Sequence, residues 1–126
     1  MWCEEDFDEK VVVGEDVEEV ERFFDEFLRF LRGLESMPGV ERVYYHMVSV
    51  KPMYCSGDER VCGDAQVTVV VSHDKSGDFM RSLHTIIRRL GGNGAIGVRL
   101  SAVRSDHVIY GLDVCVKLGK FKNIRV

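Results

Sequence analysis

An α+β two-layer sandwich, with two helices on one face of a mainly antiparallel sheet, is predicted by three observations on this sequence of 126 residues. Two stretches carry apolar residues at helical spacing. A pair of strand-like segments rich in β-branched residues follows each of them. Proline, glycine and short polar clusters separate the segments. The order reads (β)-α-β-β-α-β-β, and the two helix-strand-strand halves suggest an old duplication. Two helices against one side of such a sheet bury every apolar face with the fewest layers.

Residues 1–10 have no apolar period and five acidic groups, and read as a loose leader before a single domain over 11–126. Val11-Val12-Val13 is a candidate short edge strand. Glu15 to Leu34 is the clearest helix: Val17, Val20, Phe24, Phe27, Leu28, Leu31 and Leu34 make one apolar stripe. Acidic residues crowd its first turns and Arg29 and Arg32 its end, as the helix dipole favours. Phe23 and Phe30 fall at the margin of that stripe, where apolar side chains often meet a neighbouring subunit.

After the Pro38-Gly39 turn, Val40 to Val50 reads as a strand ended by Pro52. Tyr54 to Asp64 reads as a polar loop. Ala65 to Ser72 is a second strand, buried by its continuous valines. A second helix opens near Lys75-Ser76-Gly77-Asp78, buries Phe79, Leu83, Ile86, Ile87 and Leu90, and stops at Gly91-Gly92. Ala95 to Val103 and His107 to Leu118 form a last hairpin around Arg104-Ser105-Asp106, and Gly119 to Val126 is a short basic tail. Taken together the elements predict a ferredoxin-like or closely related fold with four main strands.

The net charge of −4 hides a division. Residues 1–64 hold 17 acidic and 7 basic side chains, a balance of −10, whereas residues 65–126 hold 4 and 10, a balance of +6. Such a chain is self-complementary, and a head-to-tail homo-oligomer is expected from it. With 45% apolar and 30% charged residues the composition is that of a folded globular protein rather than a disordered one. No apolar run reaches the ~18 residues that would span a bilayer. The acidic start is unlike a signal peptide, so a cytoplasmic location and no membrane partner are expected. One glutamine and two asparagines set against abundant Glu, Arg and Val point to a thermophilic source, although four Cys and five Met run the other way.

Gly92-Asn93-Gly94-Ala95-Ile96-Gly97 matches GxGxxG by letter. The motif works only when a strand precedes it and a helix follows, so that phosphate meets a helix N-terminus. Here the order is reversed, and the glycines read as a helix stop feeding a strand.

Cys55 and Cys62 are the strongest candidates for cysteine chemistry. Six intervening residues exceed the two to four usual in structural zinc pairs, so a disulfide or inert thiols fit the spacing better than metal. A metal ion is nevertheless the one cofactor left open, with Cys55, Cys62, His46 and His73 as its ligands. Cys115, between Val114 and Val116, reads as packed. His73-Asp74 ends a strand, but nothing assembles a nucleophile, base and orienter, so no catalytic residue is assigned. Arg81, Arg88, Arg89, Arg99, Arg104, Lys117 and Lys120 make the second half basic. RNA or protein binding by that half is the alternative to self-association, although the last hairpin offers only Tyr110 for stacking and contains no RNP1-like run.

The run Leu90-Gly91-Gly92-Asn93-Gly94-Ala95-Ile96-Gly97-Val98-Arg99-Leu100, with Ile109-Tyr110-Gly111-Leu112-Asp113-Val114, resembles the helix end and following strands of the YbjQ-like family. These are small α+β proteins described as heavy-metal-binding. The resemblance covers about residues 79–118. It implies a pentameric ring with a ligand held between subunits, and it supplies no catalytic residues. Residues 1–78 do not follow that family's pattern. The expectation is therefore a non-enzymatic homo-oligomer that binds a small ligand or metal ion at subunit interfaces.

Overall fold

The computed structural model describes residues 17–55 and 58–117 and has the predicted α+β arrangement. Helix α1 is Val17–Glu35, strand β1 Val40–Cys55, β2 Asp58–Ser72, helix α2 Ser76–Leu90, β3 Gly94–Val103 and β4 His107–Lys117. Two short 3-10 turns, His73–Lys75 and Gly91–Asn93, flank α2. The strands form one antiparallel sheet in the order β1-β2-β4-β3. The expected leader, the strand at Val11–Val13, the basic tail and Lys120 lie outside the described residues.

Both helices pack on one face of the sheet. Ala65, Val67, Val69 and Val71 of β2 and Leu112, Val114 and Val116 of β4 meet Phe27, Leu31 and Leu34 of α1 and Phe79, Leu83 and Leu90 of α2 in a single core. The alternation of buried and half-buried residues along β2 is the period-two signature of a strand with one covered side. Tyr110 lies on this covered side, its ring stacked on Phe79 at 5.4 Å between centroids.

The buried stripe of α1 is rotated from the expected one. Phe23 and Phe30, placed at the margin by spacing, are buried in the core, whereas Phe24 is 41% exposed. Positions 23, 27, 30 and 34 have helical spacing as good as 24, 27, 31 and 34, so periodicity does not choose between them. The sheet chooses. Phe23 lies directly over Gly63 of β2, where any side chain would collide with the ring. Phe24 instead meets Tyr45 of β1 edge-on, with ring centroids 6.4 Å apart. The surplus phenylalanines are therefore core residues and no longer argue for a subunit contact.

The expected polar loop over Tyr54 to Asp64 is a hairpin. β1 continues through Pro52 to Cys55, and β2 begins at Asp58, with Pro52 opposite Val61. Proline is tolerated because β1 is an edge strand in the described sheet and can turn the missing N–H outward. Among the described residues the β2–β4 ladder ends at Cys62–Lys117, and the hairpin continues past it to Cys55 and Asp58.

The turn between α1 and β1 depends on Gly39. Its φ of 86° is in the left-handed region, and a Cβ there would strike the Lys75 side chain. Its carbonyl accepts the Ser72 N–H at 2.7 Å, which ties the helix exit to the end of β2.

Candidate functional site

The sheet face opposite the helices has no described element over it. Across the four strands its rows read Tyr44, Thr68, Gly111, Arg99 and then His46, Gln66, Asp113, Gly97. Arg42 donates to the Tyr44 hydroxyl at 3.1 Å, and that bond holds the guanidinium pKa above its ordinary value. On the other edge Arg99 lies over Gly111 and grips Asp113, with Nε 3.2 Å from one carboxylate oxygen. This face therefore presents both signs of charge and one well-exposed aromatic, Tyr44. Cys115 is on it too, half-buried, and not in the core between its valine neighbours.

A second concavity lies between the helices. It is about 360 Å³, with Gly33, Ser36, Met37 and Pro38 on the α1 side and Ser82, Thr85, Ile86 and Arg89 on the α2 side. Ser36 and Thr85 donate their hydroxyls to backbone carbonyls one turn back, Arg32 at 3.0 Å and Arg81 at 3.2 Å.

The register keeps the candidate metal ligands apart. Cys55 faces Asp58, and Cys62 faces Lys51, four ladder positions away, which is roughly 13 Å along the strands. A disulfide needs Cα atoms within about 7 Å, a shorter span than this register gives the pair. His46 faces Gln66, and His73 follows the end of β2, about 20 Å further along the same strand. Among the described residues no group of three His, Cys, Asp or Glu side chains is placed to hold a metal ion.

The basic residues are likewise dispersed. Arg81 pairs with Asp78 on α2, Arg89 borders the inter-helix groove, and Arg88 is exposed on the same helix. Arg99 is on the open face, and Arg104 is in the β3–β4 turn with its N–H bonded to His107 O at 2.8 Å. Lys117 ends β4 at the far end of the ladder. The aromatic expected to serve a nucleic-acid face, Tyr110, is on the covered side. Tyr44 is the exposed aromatic of the open face.

Two features were not foreseen. His107 sits between two carboxylates, its Nε2 against Glu41 and its Nδ1 3.1 Å from Asp106. The adjacency of Asp106 and His107 was a visible signal, but the approach of Glu41 depends on the sheet. Glu26 is 6% exposed on α1, and its Oε2 has no hydrogen-bond partner. Its spacing between Phe23 and Phe30 carries that signal only once the buried stripe is known.

Comparison with protein-family models, with curated proteins and with solved structures returned no match. Among the described residues no helix is long and apolar enough to cross a membrane.

Proposed function

We propose that this chain is a homo-oligomeric binding protein that takes a small anionic ligand in the groove between α1 and α2. The lining of the groove carries the reading. Ser82 brings a hydroxyl, Arg89 brings a guanidinium, and Met37 and Ile86 offer apolar wall within a volume of about 360 Å³. Concave sites of this size, mostly apolar with a few placed polar groups, are the usual form of small-molecule sites. The guanidinium fork suits a carboxylate or phosphate on the ligand. The division of charge between the two halves of the chain, and the partial resemblance over residues 79–118, support self-association.

A thermal-shift panel of small carboxylates and phosphates, run beside their neutral analogues, tests the ligand. Anions should raise the melting temperature of the wild type and not of Arg89→Ala. The reading fails if no anion does so, or if the variant responds equally. Light scattering at micromolar concentration tests the assembly, and a mass of 14.4 kDa would reject it.

A second reading, single-stranded RNA on the open sheet face, is favoured by the Arg42–Tyr44 pair. Asp64 and Asp113 on the same face oppose it electrostatically. A binding titration against salt separates the two: phosphate contacts give a steep negative slope, and Tyr44→Ala should weaken binding.

A further inference from the structure

The two edges of the sheet are defended unequally. β1 carries Pro52, Glu41, Arg42 and Lys51 and two register shifts, all of which discourage further strand pairing. β3 reads Gly-Ala-Ile-Gly-Val-Arg-Leu-Ser-Ala-Val, with one charge, no proline and a single irregularity near its end. Among the described residues its only strand neighbour is β4. Leu100 and Val103 on this strand are 62% and 57% exposed, the two most exposed large apolar side chains described. Helix α2 points the same way. Ser82, Thr85 and Arg89 face the groove toward α1, so Met80 and Ile87, half-buried, lie on the flank turned toward β3.

We propose that β3 pairs with β3 of a second copy, antiparallel about a two-fold axis at Val98, to make a continuous eight-stranded sheet. This inference deepens the homo-oligomer reading by naming its interface. The sequence of β3 is complementary to itself in that register and not in its neighbours. Centred on Val98, Leu100 lies opposite Ile96 of the second copy on the helix side, so its exposed apolar surface is covered. On the open face Arg99 lies opposite Gly97 of the second copy. Centred on Arg99, the two arginines would oppose each other. Centred on Gly97, Leu100 would face Gly94 and gain no apolar partner.

Charge fits the same register. Gly97 is the direct neighbour of Asp113 on β4 and places no side chain between that carboxylate and the sheet edge. Strands lie about 4.8 Å apart, so Arg99 of the second copy comes within about 10 Å of Asp113 by Cα, a span that an arginine and an aspartate close together. Each Arg99 already holds the Asp113 of its own chain. In the pair, two arginines and two aspartates then alternate across the axis as a neutral network. The contact is isologous and closes at two copies, unlike the head-to-tail contact expected from net charge alone.

Two substitutions separate interface from fold. A Cβ at Gly97 would meet Asp113 Cβ at 3.8 Å, an ordinary contact, so Gly97→Val leaves the single chain intact while occupying the position Arg99 of the second copy needs. Leu100→Lys alters a side chain that the single chain leaves in water. Sedimentation equilibrium of the full chain should show a dimer whose dissociation constant rises by about tenfold or more in either variant, with unchanged circular dichroism and melting of the monomer. A wild type that stays monomeric overturns the homo-oligomer reading and this interface with it. An oligomer that both variants leave undisturbed overturns the interface and leaves the homo-oligomer reading in place.

Discussion

Arg99 lies flat on the open face because its cross-strand neighbour is Gly111. A Cβ at Gly111 would come within 3.1 Å of Arg99 Nη2, so the absence of a side chain there is what admits the guanidinium on its way to Asp113. Gly111→Val is expected to lift Arg99 off the sheet and break the pair. Both partners are largely exposed, so stability should fall by no more than about 1 kcal/mol in urea unfolding. A loss several times larger would mean that the arginine supports more than its carboxylate.

Gly63 is a stricter position. The Phe23 ring occupies the space where a side chain would go, and that ring is buried against the sheet. Gly63→Ala is expected to cost about 1–3 kcal/mol, since the core must shift to accept one methyl group. Denaturant unfolding measures it, and a neutral result would show that α1 can slide on β2.

Glu26 is expected to lower stability in the native protein. A buried carboxylate oxygen without a partner carries its desolvation cost uncompensated. Glu26→Met, of similar length, should therefore raise stability by about 1–3 kcal/mol, whereas Glu26→Gln should bring little, because it too leaves a buried polar atom unpaired. Equal melting temperatures for wild type and Glu26→Met would contradict this.

Asp74 accepts a hydrogen bond from the Ser72 hydroxyl at the β2–α2 junction, and chiefly for that reason its pKa lies below the ordinary 3.8. The sign follows from linkage. A carboxyl with a depressed folded-state pKa stabilises the fold fully above its unfolded value, and that stabilisation disappears as pH falls through the folded value. Ser72→Ala should move the Asp74 pKa upward, read from its carboxyl resonance in an NMR titration. A pKa that does not move would assign the depression first to the backbone N–H of Asp74 itself and then to the neighbouring Lys75 charge.

The layers and most elements were legible in the sequence because periodicity reports burial directly. Phe79, Leu83, Ile86 and Leu90 in α2 are buried as their spacing predicted, with Ile87 half-buried. The valine run of β2, by contrast, is buried only at Val67, Val69 and Val71, since Val70 faces the open side. What was lost depended on partners distant in sequence. Pro52 reads locally as a strand end, and only the edge position of β1 reverses that. Phe23 and Phe24 are equivalent until Gly63 admits one ring. The register that sets Cys55 and Cys62 four ladder positions apart is not written in their sequence spacing. The inter-helix groove joins Gly33, Ser82 and Arg89 from segments that carry no shared motif.

The strand order has one more consequence. β1 and β2 are a hairpin, β3 and β4 are another, and the sheet joins them along the single β2–β4 ladder of eleven residue pairs. Each half, one helix and its hairpin, closes mostly local contacts, and the ladder alone carries the long loop-closure cost. The zippering of two preformed halves is then the step expected to limit folding, and stopped-flow refolding of Gly63→Ala and wild type would read it. A chain cut at the His73–Lys75 turn would hold its halves together by that seam and the helix contacts alone. Two separately made fragments that reassemble on mixing would show that each half keeps its shape without the other.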